Sequence, residues 1–145
     1  MIEITTKYEL AAAHRLWNPN WPAERNFEVF GPCANPGGHG HNYTLEVTLR
    51  QPTGPEGAPL ADPDAAGRLI RAEILERFDH QNLSQLEEFR ALVPTVENMA
   101  KVFWDRLAGR FGPAQLARIR VWETPRTYAD YFGPGAGPLR FSETV

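Results

Sequence analysis

The chain has 145 residues, enough for one domain with a core and too few for two of ordinary size, and 42% of them are apolar or aromatic. Fifteen basic against 18 acidic residues give a formal net charge of -3 without any basic block, so an electrostatic footprint for nucleic acid is absent. A mean hydropathy of -0.43 without a long apolar run excludes a transmembrane helix, and the alternating start MIEITTKYEL lacks the apolar stretch of a secretion signal, which points to a cytoplasmic protein with no membrane partner.

Residues 2 to 16 alternate, with Ile2, Ile4, Tyr8, Leu10 and His14 on one parity and Glu3, Lys7 and Glu9 on the other, which predicts a half-buried strand. From Trp17 to Gly38 four prolines and no period predict a long loop returning to the same end of the sheet. A second strand starts near His39 and puts His39, His41, Tyr43, Leu45, Val47 and Leu49 on one face. After the connector QPTGPEGAP, Asp62 and Pro63 supply an N-cap and a first-turn proline. Ala66, Leu69, Ile70, Ile74 and Phe78 then form the apolar stripe of a helix ending near Phe78. A second helix follows Pro94, capped by Thr95, with Glu97 in its first turn and Gly109 at its end. A third strand spans Leu116 to Glu123, and a turn at 124 to 127 leads to a fourth around Tyr128 to Phe132. The whole is one domain over 1–145, with 133–145 an irregular tail. The order β-β-α-α-β-β predicts an α+β fold, an antiparallel four-stranded sheet with two helices on one face.

Four histidines and one cysteine are few enough to place individually, and a single cysteine makes no internal disulfide. His39 and His41 are two apart in a strand and project to the same side. His14 ends the first strand on the apolar parity, so antiparallel pairing of the two strands would bring the three imidazoles to one patch. Three neutral imidazoles suit Zn²⁺ with an open fourth position; the alternative is three histidines satisfied in core or loop. Cys33 lies six residues before the pair, in CANPGGHGH. As a base it would need a nearby cation or proton acceptor, and otherwise it is a small buried apolar group. Asp79 and His80 close the first helix, where a helix end alone accounts for such a pair. Glu123 ends the third strand on the apolar parity of Ile119 and Val121. It either sits at the solvent mouth of the sheet or accepts a pair of N–H donors from a flat ligand.

Taken together, AAAHRL, FGPCANPGGHGHNY, FDHQNL, PTVENMAKVFWDRL and VWET resemble the 6-pyruvoyl-tetrahydropterin synthase family, from Ala11 to Tyr131. The resemblance implies the tunnelling fold, in which subunits form an oligomeric barrel and trimers stack as hexamers, with sites at subunit interfaces. It implies zinc on His14, His39 and His41, Cys33 as base, Asp79 and His80 as a proton relay met across the interface, and Glu123 as the pterin anchor. Thr95 and Glu97 fall in the T-x-E-N segment that lies near the pterin in relatives. The implied activity is a lyase reaction on 7,8-dihydroneopterin triphosphate that eliminates triphosphate and needs no redox cofactor. Two products are known on this scaffold, 6-pyruvoyl-tetrahydropterin and the 6-carboxytetrahydropterin of the queuosine pathway. Five residues between Cys33 and His39 look like the pyruvoyl-forming branch, the carboxy-forming branch usually having three. A non-catalytic zinc and pterin binder is a remoter alternative. GAPLAD before the first helix and TPRTYADY after Glu123 depart from the family pattern.

Overall fold

The computed structural model describes residues 1–58 and 61–135. Two long strands form its spine. β1 (Ile2–His14) and β2 (His39–Gln51) pair antiparallel from Ile2 with Gln51 to His14 with His39, so the alternation of one strand faces that of the other. Tyr8, Leu10, Tyr43, Leu45 and Val47 are buried on the shared face. β4 (Gln115–Thr124) pairs with β2, and β5 (Thr127–Tyr131) pairs with β4 across the two-residue turn at Pro125 and Arg126.

The helix begins where Asp62 accepts from the Asp64 N–H and Pro63 opens the first turn, giving α2 (Pro63–Ile70). It continues through a π turn (Arg71–Leu75) into α3 (Glu76–Phe78). α4 (Val96–Leu107) starts at Thr95, whose hydroxyl accepts from the Asn98 N–H. Ile70, Ile74, Phe78, Met99, Phe103 and Leu107 are buried against Tyr43, Leu45, Ile119 and Val121 in one core. Non-directional apolar burial fixes the helices to that face of the sheet, while the other face carries Thr5, Thr48, Glu46, Arg118, Arg120 and Asp130 in polar contacts.

Several expectations need correction. The sheet has five strands, in the order β3-β1-β2-β4-β5, because β3 (Gln81–Asn82) adds a two-residue parallel bridge to Ala12 and Ala13 of β1. Two residues carry no readable alternation, so only tertiary contact creates this strand. The predicted loop 17 to 38 holds a helix, α1 (Ala23–Phe30), and a 3₁₀ turn, Gly31–Ala34. Only Asn26 of α1 is buried; Ala23, Phe27 and Phe30 recur at helical spacing, but in a segment of eight residues among prolines and without joining the core. The sheet of one chain is open. β5 ends at Tyr131, one residue before the expected Phe132, and of the tail expected over 133–145 residues 136–145 lie outside the described residues. Among the described residues no helix is long and apolar enough to cross a membrane.

Candidate metal centre and active site

The strand register makes the histidine cluster. His14 stands opposite His39, and Ala12 opposite His41, so the last side chain of β1 meets the first two inward side chains of β2. The turn before β2 can approach β1 this closely because Gly38, at φ 65°, has no Cβ; one built there would lie 2.7 Å from the His14 carbonyl oxygen. The three ligand atoms all fall within 4.8 Å of one another. His14 Nε2 and His39 Nε2 are 3.2 Å apart, close to the roughly 3.3 Å between two ligands of a tetrahedral ion bound at about 2.0–2.1 Å.

Two further features fit a metal. The ring of His14, 1% exposed, has Nδ1 at 2.9 Å from the Pro94 carbonyl, which can only accept. Nδ1 therefore carries the proton and Nε2 offers its lone pair to the cluster. The buried Tyr43 hydroxyl shares that N–H at 3.1 Å. In addition, His41 Nε2 is buried with no hydrogen-bond partner, the kind of orphan a bound cation removes. Glu123 Oε1 is 3.4 Å from it without hydrogen-bond geometry. The donor set of three imidazoles and one nearby carboxylate fits zinc.

Burial pushes the His14 imidazole down to about 4, with the neighbouring His39 and His41 adding to the effect and the Pro94 bond opposing it. A base whose folded value is depressed binds fewer protons folded than unfolded. Its contribution is complete above the unfolded value near 6.5 and fades as pH falls toward 4. Metal-free protein is thus expected to lose up to roughly 3 kcal/mol between these limits, measured by urea unfolding at each pH. A flat stability across that window would contradict a neutral, desolvated His14.

Cys33 sits half-buried in the 3₁₀ turn ahead of β2. Its carbonyl accepts from the Leu16 N–H at 2.8 Å, and Arg15 Nε donates to the next carbonyl, Ala34, at 2.8 Å. These bonds tie the turn to the end of β1. Burial, then the Glu123 carboxylate, push the thiol up, away from the thiolate.

Glu123 keeps the inward parity of Ile119 and Val121. With Thr44 opposite Trp122 and Leu45 opposite Val121, that parity faces the side of β2 that carries Tyr43 and His41. The β4–β5 register shifts at the same point, between Trp122 and Thr124. Asp79 and His80 lie on the other flank of β1. Asp79 Oδ1 accepts from the Ala11 N–H at 2.8 Å and lies 3.0 Å from His80 Nδ1. The Ala11 bond first, and then His80, hold the carboxyl below its ordinary range. His80 takes a left-handed backbone, φ 59°, and its imidazole is 81% exposed. Among the described residues no hydrogen bond or ion pair joins Cys33 to Asp79 or His80. Thr95 serves as the α4 cap, next to the Pro94 carbonyl that orients His14, and Glu97 is exposed in the first turn.

Pro94, Tyr43 and Asn26 escape a reading of the sequence. Pro94 acts through its carbonyl, which no residue type signals, and Tyr43 reads only as one more apolar-parity residue. Asn26 is fully buried in the segment that leads to Cys33. Its Oδ1 accepts from the Asn18 N–H at 2.7 Å, while its amide faces the carbonyls of Asn18, Trp21 and Pro22 at 3.0, 3.3 and 3.3 Å. Asn26→Asp keeps the shape and sets a carboxylate against three carbonyls. The expected cost is about 2–4 kcal/mol, read as a lowered denaturant midpoint at unchanged slope. A change below about 0.5 kcal/mol would mean that this loop is not held by Asn26.

Known proteins resemble the chain in sequence and in fold. The chain is 36% identical to a 6-pyruvoyl tetrahydrobiopterin synthase of Drosophila melanogaster, over 90% of this chain and 79% of that protein. The solved structure of Caenorhabditis elegans 6-pyruvoyl tetrahydropterin synthase superposes with a TM-score of 0.85 at 31% identity, covering 91% of this chain and 95% of that one. A 6-carboxy-5,6,7,8-tetrahydropterin synthase of Aquifex aeolicus is 26% identical, over 89% of this chain and 96% of that protein. The family model described as 6-pyruvoyl tetrahydropterin synthase matches residues 3–134, and with the fold and histidine cluster above, the chain belongs to that family.

Proposed function

We propose that the protein is a zinc-dependent lyase that converts 7,8-dihydroneopterin triphosphate to 6-pyruvoyl-tetrahydropterin and triphosphate. The observation that carries this is the cluster of His14, His39 and His41 with an unpartnered His41 Nε2, bordered by the Glu123 carboxylate. The reaction is redox-neutral. One side-chain CHOH becomes a ketone as the ring N5=C6 bond is reduced, and loss of triphosphate from the adjacent CHOH–CH₂O unit leaves an enol that becomes the second ketone and a methyl group.

His14, His39 and His41 would hold the ion, with Pro94 and Tyr43 fixing the His14 ring. Zinc in this site supplies Lewis acidity to the substrate's side-chain hydroxyls. Glu123 accepts the 2-amino and ring N–H edge of the pterin and so orients the side chain. Cys33 accepts a proton from the side-chain carbon next to the ring, and His80, oriented by Asp79, moves protons on the opposite face. Thr95 and Glu97 border the pterin.

The relay is completed by a second copy of the chain. His80 is exposed and unconnected to Cys33, and on the outer flank of β1 the segment from Asp79 to Asn82 covers only Ala11 to Ala13, leaving residues 2–10 of that strand without a strand partner there among the described residues. β5 at the far edge has no outer neighbour among the described residues. An open sheet with two unpaired edges suits closure with other copies, and we infer a barrel of three chains and a hexamer of two such trimers.

The test is mass spectrometry of products from purified, zinc-loaded protein and 7,8-dihydroneopterin triphosphate. Triphosphate with 6-pyruvoyl-tetrahydropterin supports the proposal. Acetaldehyde with 6-carboxytetrahydropterin would assign the second reading, which the Aquifex relative raises and the five-residue spacing of Cys33 and His39 opposes. Substrate bound without triphosphate release would leave a non-catalytic binder.

A further inference from the structure

The helix that delivers Asp79 is not one regular α-helix. Between α2 and α3 it widens, and the Glu76 N–H bonds to the Arg71 carbonyl five residues back. Such a π turn takes up one extra residue locally, so the segments on both sides keep the faces they need. Here both sides are committed. Ile70 is buried before the turn; Ile74 within it and Phe78 after it are buried in the same core. The chain then docks on β1, with the His80 N–H donating to the Ala11 carbonyl at 2.6 Å and the Ala11 N–H donating to Asp79 at 2.8 Å. If the turn tightened into α-helix, its end would rotate by about 100°, pulling Phe78 from the core and Asp79 from Ala11.

Arg106, in the last turn of α4, grips the middle of the π turn. Its Nε–H donates to the Glu73 carbonyl at 2.9 Å and its Nη2 to the Glu73 carboxylate at 3.1 Å, and its guanidinium lies 5.5 Å from the Phe78 ring centroid. Arg110 reaches the other Glu73 oxygen at 2.8 Å, and Arg106 Nη1 is 3.6 Å from Glu88. The carboxylate contacts are partly exposed ion pairs of a kind that contributes little. The carbonyl bond differs, because a charged donor holds a peptide oxygen of a widened turn, where carbonyls tilt off the helix ladder.

We propose that Arg106 is a positioning residue that holds the π turn through the Glu73 carbonyl and so sets where Asp79 and His80 stand against β1. This rests on the reading of Asp79 and His80 as a proton relay for its effect on turnover, and on geometry alone for its effect on structure.

Arg106→Lys keeps the charge but loses the Nε–H fork. Hydrogen–deuterium exchange across residues 71–82 is expected to quicken about tenfold or more while residues 96–105 stay protected. Turnover should fall about tenfold in kcat at unchanged KM, since the displaced relay binds no substrate. Glu73→Gln removes the ion pairs and leaves the carbonyl, and is expected to match the parent in both measurements. Deleting Ala72, an exposed residue of the turn, turns the segment into regular α-helix with both flanks in register, and in that background Arg106→Lys should have no effect. The proposal is overturned by unchanged exchange in Arg106→Lys, by Glu73→Gln being equally disruptive, or by an Arg106→Lys effect that persists after the deletion. If Arg106→Lys alone does not fold, recovery of folding on deleting Ala72 supports the proposal and continued failure overturns it. A parent protein without turnover would sink the proposed activity, while the exchange pattern would still decide the role of Arg106.

Discussion

Cys33→Ala is expected to lower kcat by about 10²–10⁴-fold, the range of a lost acid–base group, while metal content and assembly stay those of the parent. The substitution removes only the thiol. The Leu16 N–H to Cys33 carbonyl bond that fixes the turn is a main-chain bond and survives, as does the Arg15 bond to Ala34. Because burial and Glu123 raise the thiol, the proposed mechanism has its activation come from the metal and from His80 of another copy. Cys33→Ser should therefore be nearly as slow as Cys33→Ala, the hydroxyl being a far weaker acid. Steady-state rates with a parallel metal assay check this. Turnover within about threefold of the parent in Cys33→Ala would remove the thiol from the reaction, since even a weak general base exceeds that.

The second large effect is expected from His39→Ala. His39 is the most suitable ligand to remove, because His14 is enclosed and bonded to Pro94, whereas His39 is half-buried at the end of the register. Two imidazoles hold zinc far more weakly than three, so dialysed protein should fall from about one metal per chain to well under a tenth, with turnover lost in step. Adding zinc should raise the parent's unfolding free energy by about 3–4 kcal/mol at 100 to 1,000 times Kd and leave His39→Ala nearly unmoved. Retained stoichiometric zinc in His39→Ala would show that the cluster is not the metal centre. The two substitutions separate cleanly, since one removes chemistry at constant metal and the other removes the metal.

Much of this was visible in one dimension where a local rule was at work. The period-two alternation of β1 and β2 placed His14, His39 and His41 on one parity, and pairing in the observed register then makes their convergence a consequence of geometry. Asp62 with Pro63, and Thr95 before the apolar stripe of α4, marked helix starts that the structure reproduces through side-chain caps. The same rules were silent on α1, whose sole buried residue is a polar one, and on β3, too short to alternate. Parity put Glu123 on the inward face of β4 and left it either at the solvent mouth of the sheet or bound to a ligand; the tertiary structure adds that its carboxylate lies 3.4 Å from His41 Nε2.

What the sequence determined by itself, then, was the chemistry available and the faces it occupies: three imidazoles on one side of two strands, one thiol in a glycine-rich turn, and a carboxylate at a strand end. Residue type and short-range periodicity carry that information because side-chain direction in a strand or helix follows from backbone geometry within a few residues. Only the tertiary structure decided which nitrogen of His14 is free, since that depends on a carbonyl 80 residues away at Pro94. It also decided how Asn26 braces the loop before Cys33 and how Arg106 meets the turn before Asp79. Main-chain acceptors and widened helical turns have no residue signature, and long-range contacts form only when the whole core closes around them.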